Sequence, residues 1–195
     1  PTSSSNYDWV VHALALEAAR AEEQDPFAWA NAQVAQISPD SSELLFLPYL
    51  HGGCDDARTR GAFVGLEAWH TRAHMLRAVC EGVVLGHRLQ VERLQKSRTV
   101  PAVAIRLAGG VVRAPEWVQM FADVLGLPVE TIDAGELGAL GAAMTAAVAA
   151  RRYGNLTEAA HAMVRVGRVY TPNGAWQTAY ARKYRRFVEA EAAIT

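Results

Sequence analysis

Between residues 103 and 125 the sequence changes from a strand pattern to a helix pattern across a pair of glycines, and this transition restricts the fold most. Val103 to Leu107 reads as a strand, Gly109-Gly110 as the turn out of it, and a helix follows from about Pro115 to Leu125. Pro115 in the first helical turn lacks only an N–H that would have no intrahelical partner there. The glycines reach backbone angles that other residues avoid and let a ligand approach the main chain. Free N–H groups and the positive end of the helix dipole face the same spot. Such a segment is either a nucleotide-contacting loop or a plain strand-to-helix turn. It matches neither a Rossmann fingerprint nor a P-loop, because the Gly-x-x-Gly and Gly-Lys-Thr spacings are absent.

The same alternation recurs along the chain. Ser5-Asn6-Tyr7-Asp8 has the Ser-x-x-acid form of a helix start, followed by Trp9, Val10, Ala13 and Leu16 at helical spacing. Asp25-Pro26 predicts a second helix, capped by the acid and ending near Ile37. Leu44 to Leu47, closed by Pro48, predicts a strand covered on both faces. His51 to Gly65 reads as a long loop with a short strand at Phe63-Val64. Ala68 to Lys96 is the longest helical pattern, with Gly82 and Gly86 inside it at a cost of up to ~1 kcal/mol each, so a packing reason is expected. Val129 to Ile132 predicts a strand, and Glu136 to Arg152 a helix of small residues able to approach a neighbour closely. Thr157-Glu158 opens a short helix, and Trp176 to Ala193 forms a basic amphipathic one. Strands alternating with helices predict an α/β domain, a mixed sheet with helices packed on it.

Composition narrows the function. Nineteen Lys and Arg balance 20 Asp and Glu among 195 residues, a formal net charge of −1, so there is no surplus to hold a nucleic acid. The stretch from Gly138 to Ala150 is too short to span a bilayer, and no membrane role is expected. Two cysteines, Cys54 and Cys80, are too few for a disulfide framework and read as buried thiols of a cytoplasmic protein.

Gly61-Ala62-Phe63-Val64-Gly65-Leu66, followed by His74-Met75-Leu76-Arg77-Ala78-Val79-Cys80-Glu81-Gly82, resembles the C-terminal signature of the FGGY carbohydrate kinases. The Gly-Gly segment, continuing through Trp117 to Gly126, looks like that family's adenine loop and following helix, and Glu136 to Ala143 like its closing small-residue helix. These blocks stand in family order behind Leu47-Pro48-Tyr49-Leu50, and the resemblance covers about residues 1 to 153. Pro1-Thr2-Ser3-Ser4-Ser5-Asn6 and His70-Thr71-Arg72-Ala73-His74 look most like the L-xylulose kinase branch, which acts on keto sugars. There are departures: Val111 stands where Gly or Ala is usual, Ala114 where Ser or Asn often meets the nucleotide, Cys80 where a larger apolar residue is usual, and His51-Gly52-Gly53-Cys54 replaces the usual Gly-Glu-Arg.

The resemblance implies a single actin-like ATPase (ribonuclease H-like) domain over residues 1–195, the C-terminal, nucleotide-side domain of a kinase that takes ATP with Mg²⁺ and phosphorylates a keto sugar such as L-xylulose. It places backbone from Gly109, Gly110 and Val111 near adenine, with Ala114 beside it and without a polar side chain to offer. Ser4 and Asp8 occupy positions that can approach the nucleotide. Asp8 would repel phosphates, so its contact is with ribose or base; the alternative is that Ser5 and Asp8 simply cap the helix. The family's Asp base, most of its sugar contacts and its first phosphate loop lie in an N-terminal domain, and no Asp-x-Gly-Thr opens this chain. No catalytic residue and no metal ligand is therefore expected here, the sugar is reached through the absent domain, and Pro1 reads as a domain start. A homodimer is compatible with this picture. The rival expectation is a non-catalytic actin-like assembly module, to which Val111 and Ala114 lend weight.

Other patterns point to structure. His70 and His74 stand one turn apart like a zinc pair, but no Glu base follows the first, so a helix-start contact or interface packing is expected. Arg182-Lys183-Tyr184-Arg185-Arg186, followed by Glu189 and Glu191, reads as a solvated helix face. The five tryptophans lie within apolar patterns and are expected in core or interface.

Overall fold

The computed structural model describes residues 3–53 and 58–194. Helix α1 (Ser3–Val10) runs through a π-helical turn at Val11–Ala15 into α2 (Leu16–Ala21). Ser5 and Asp8 thus lie inside a helix that begins before them, and the expected cap at Ser5 is corrected: Ser3 and Ser4 are already helical. The expected start at Asp25 is present in α3 (Pro26–Ala35). The Asp25 carboxylate accepts from the N–H groups of Phe27 at 3.0 Å and Ala28 at 2.9 Å.

Strand β1 (Leu45–Leu47) is buried along its whole length and pairs antiparallel with β2 (Ala62–Val64). Helix α4 (Arg72–Lys96) starts later than the apolar pattern suggested. Thr71 precedes it, and His74 Nδ1 reaches back to accept from the Thr71 N–H at 3.2 Å. His74 therefore makes the expected helix-start contact.

A second sheet is mixed, as expected. Strand β3 (Ile105–Leu107) pairs parallel with β4 (Val129–Ile132), which pairs antiparallel with β5 (Val166–Tyr170). Sequence patterning missed β5, four of whose five residues are exposed and carry no apolar alternation. Helix α5 (Pro115–Leu125) packs on β4 and β5, and Gly126 ends it with φ +66, a left-handed angle suited to glycine. Helix α6 (Leu137–Ala149) and α7 (Leu156–Met163) pack on each other. Helix α8 (Gln177–Ile194) returns to α5, α4 and β1.

The core gathers around α4. Leu76, Val79, Val83, Val84 and Leu85 are buried there with Phe46, Val118, Phe121 and Phe187, each large apolar side chain contributing about 1.5–3 kcal/mol on burial. Of the readings that concern the surface, the one for the basic segment of α8 fails. No residue of α6 is buried, although its helix carries no charged side chain. Among the tryptophans, Trp29 and Trp117 are core, while Trp9 and Trp69 stand half exposed. The basic segment of α8 is not a solvated face: Lys183 and Tyr184 are buried, and Arg182 and Arg186 both pair with Glu43 at 2.6 Å.

Lys183 ends in a buried ionic cluster. Its Nζ lies 2.5 Å from Glu81 Oε2, while Arg77 Nε donates to Glu81 Oε1 at 2.7 Å and Arg77 also donates to the Tyr180 hydroxyl at 3.0 Å. Arg77 further holds the Val34 and Ile37 carbonyls at the end of α3. Burial of Arg77 and Glu81 in α4 explains the Arg-Ala-Val-Cys-Glu-Gly segment as packing rather than chemistry. Cys80 is buried and free, and burial pushes its thiol far up. Its partner in the two-cysteine reading, Cys54, lies outside the described residues, as do Pro1 and Thr2.

Candidate nucleotide site

Beyond β3 the chain turns sharply. Gly109 has φ +93, and residues Gly110–Arg113 form a single 3-10 turn leading to Ala114 at the start of α5. Ala114 N–H donates to the Val111 carbonyl at 3.1 Å, and Ala114 in turn accepts from Trp117 N–H at 3.0 Å. The main chain is thereby held without a side-chain cap. Trp117 Nε1 donates to the Cys80 carbonyl at 3.1 Å, fixing the indole against α4.

A cavity of about 520 Å³ opens between this turn, α1 and the first turns of α3. Five of the six expected site residues line it: Ser4, Asp8, Gly110, Val111 and Ala114. Val111 and Ala114 are buried in its wall, whereas Ser4, Asp8 and Gly110 are exposed. The sixth, Gly109, lines an adjoining cleft of about 210 Å³ with Gly110, at the carboxyl ends of the parallel strands β3 and β4 and the start of α6. Clefts at that end of parallel strands are where α/β proteins bind ligands. Gly110 borders both spaces, and a Cβ there would meet nothing within 4 Å.

The cavity also has residues that local spacing did not mark: Tyr7, Asp25, Phe27, Asn31, Arg113 and Trp117. Three are aromatic. The Tyr7 ring lies 4.8 Å from Trp117 and 6.1 Å from Phe27, giving apolar faces of the kind a planar base stacks on. Tyr7 is 5% exposed, and burial pushes its hydroxyl far above the usual tyrosine range, so it stays protonated. Its hydroxyl donates to Asn31 Oδ1 at 2.6 Å. Asp8 sits within the wall of the mouth rather than at a cap, and His12 Nδ1 donates to its backbone carbonyl at 2.8 Å within the π-helical turn. Such turns recur at functional sites. In the sequence Tyr7 stands within the Ser5–Asp8 helix-start pattern and Trp117 within the helix after the Gly-Gly turn; α3 joins them through tertiary folding, which local sequence spacing does not reveal.

The His70–His74 pair serves packing. His70 Nδ1 accepts from Glu67 N–H at 2.8 Å, and its Nε2 lies 2.8 Å from the Ser42 hydroxyl. Its ring is 5.4 Å from His74, but among the described residues no group of three His, Cys, Asp or Glu side chains suits a metal ion. No helix among the described residues is long and apolar enough to cross a membrane.

The turn bares main chain beside an aromatic cavity on a mixed α/β sheet. Residues 2–150 match the C-terminal domain of the FGGY family of carbohydrate kinases, and the chain belongs to that family. Over its whole length it is 34% identical to a probable L-xylulose kinase of Pasteurella multocida and 33% identical to the L-xylulose/3-keto-L-gulonate kinase of Escherichia coli, spanning 37% of each. Among solved structures, xylulose kinase from Rhodospirillum rubrum matches with a TM-score of 0.79 and 32% identity, covering 97% of this chain and 38% of that one. The ligand-bound xylulose kinase from Lactobacillus acidophilus matches with a TM-score of 0.83 and 27% identity over the same shares.

Proposed function

We propose that this chain is the nucleotide-side domain of an ATP-dependent sugar kinase of the cytoplasm, acting on a keto sugar of the L-xylulose type. The convergence of Ser4, Asp8, Gly110, Val111 and Ala114 on one aromatic-walled cavity carries this reading. The relatives named above support the sugar class, and the small-residue helix α6 and Gly-Gly turn support the actin-like, ribonuclease H-like form of the domain. In this reading the adenine lies among Tyr7, Phe27 and Trp117, and Gly110 lets the main chain approach it. Asp8, a carboxylate at the mouth, accepts from ribose hydroxyls and keeps the phosphates directed toward the smaller cleft beyond Gly109. The residues present suit ATP but supply no cluster for Mg²⁺ among the described residues, so no side chain is assigned to the ion. Family likeness assigns the proton-accepting Asp and the sugar contacts to a further domain, and the charge-free exposed surface of α6 suits contact with it. Trp117 lines the cavity, so its fluorescence reports occupancy: saturable quenching by Mg-ATP is expected, and an unchanged spectrum at millimolar nucleotide contradicts the reading.

A further inference from the structure

Asn31 stands in the middle of α3, where asparagine is a weaker helix former than alanine. Its side chain borders the aromatic cavity. The Tyr7 hydroxyl donates to its Oδ1, which leaves the amide nitrogen directed away from Tyr7. The Asn31 Nδ2 group is left with two N–H donors and no protein partner among the described residues. Asp25, which lines the same cavity, uses one carboxylate oxygen, Oδ1, for the N–H groups of Phe27 and Ala28 and retains Oδ2 as an acceptor. Asp8, on α1, supplies another carboxylate to the cavity lining.

An amide donor and carboxylate acceptors that line one cavity can meet a base edge that offers the reverse: a ring nitrogen next to an exocyclic amine. Adenine has that edge, whereas guanine presents a carbonyl oxygen where adenine has its amine, and a carboxylate repels it. We propose that Asn31 is the base-reading residue of this cavity, its amide donating to a ring nitrogen of adenine while Tyr7 positions it. This inference rests on the nucleotide reading above and assigns the cavity its base preference. The ring faces of Tyr7, Phe27 and Trp117 give affinity without base identity; Asn31 gives the identity.

Calorimetric titration of the chain with Mg²⁺ and ATP, 1-deaza-ATP or 7-deaza-ATP tests it, since each analogue replaces one ring nitrogen by a C–H. The wild-type chain is expected to bind one of the two analogues roughly tenfold more weakly than ATP, the loss of about one hydrogen bond. Asn31→Leu should bind ATP and both analogues alike, at the weaker affinity. Tyr7→Phe keeps the ring packing, frees the amide, and should retain only part of the discrimination. Equal binding of ATP and both analogues by the wild type overturns the assignment, as does discrimination that survives in Asn31→Leu; in either case ATP binding itself still stands. Failure of the wild type to bind ATP at all overturns both the assignment and the nucleotide reading.

Discussion

A Cβ placed on Gly82 would run into the carbonyl oxygen of Phe46, so strand β1 and helix α4 meet where only glycine fits. This is the packing reason for a glycine inside a 25-residue helix. Backbone, not a flexible side chain, stands in the way. Gly82→Ala is therefore expected to destabilise the chain by about 3 kcal/mol or more through overpacking. Urea unfolding measures it, and a midpoint within error of wild type refutes the close approach.

Gly86, one turn on, is a different case. A Cβ there would meet Pro48 at 3.5 Å and Phe187 at 3.8 Å, ordinary contact distances. Gly86→Ala should be neutral or stabilising by up to about 1 kcal/mol from helix propensity. The same unfolding experiment checks it, and a loss as large as that at Gly82 contradicts the distinction.

The buried cluster of Arg77, Glu81 and Lys183 has two cations and one anion. Glu81→Gln leaves both cations without a counter-ion and is expected to cost about 3–5 kcal/mol. Lys183→Met removes one cation and leaves the Arg77–Glu81 pair intact, so a cost of about 1 kcal/mol or less is expected. Thermal denaturation of the two variants gives the order, and equal losses would contradict it.

Burial holds His87 below its ordinary value, and burial together with His70 and Lys183 does the same to His74. The unfolded chain therefore takes up protons that the folded chain refuses, so stability is fully present above about pH 6.5 and falls as pH drops through the folded values. His87→Gln should flatten part of that decline. A set of urea midpoints from pH 7.5 to 5 that runs parallel in wild type and variant would contradict it.

Much of this fold was legible locally. The strand at Val129 to Ile132, the Asp25 cap and the helix from Pro115 to Leu125 follow from apolar spacing and capping chemistry, and each is present. Strand β5 was not, because Val166–Tyr170 is exposed except at its end and pairs only through β4. Lys183 looked solvated because its partner Glu81 is 102 residues away in sequence. The site divides in the same way: Gly110, Val111 and Ala114 lie in one local turn, and Ser4 and Asp8 joined them through likeness to a family. Asn31, Phe27 and Tyr7 needed the packing of α3 on the helix that contains α1 before they could be seen to share a cavity.

In the proposed function, the turn after β3 exposes main chain to a nucleotide. Gly110 tests it most directly, because a Cβ there meets nothing within 4 Å and the residue borders both cavities. Calorimetry with Mg-ATP on the wild-type chain should give a saturable heat at up to millimolar nucleotide. Gly110→Gln should unfold at the wild-type urea midpoint and give none. An absent heat in the wild type, or an undiminished one in Gly110→Gln, would contradict the account.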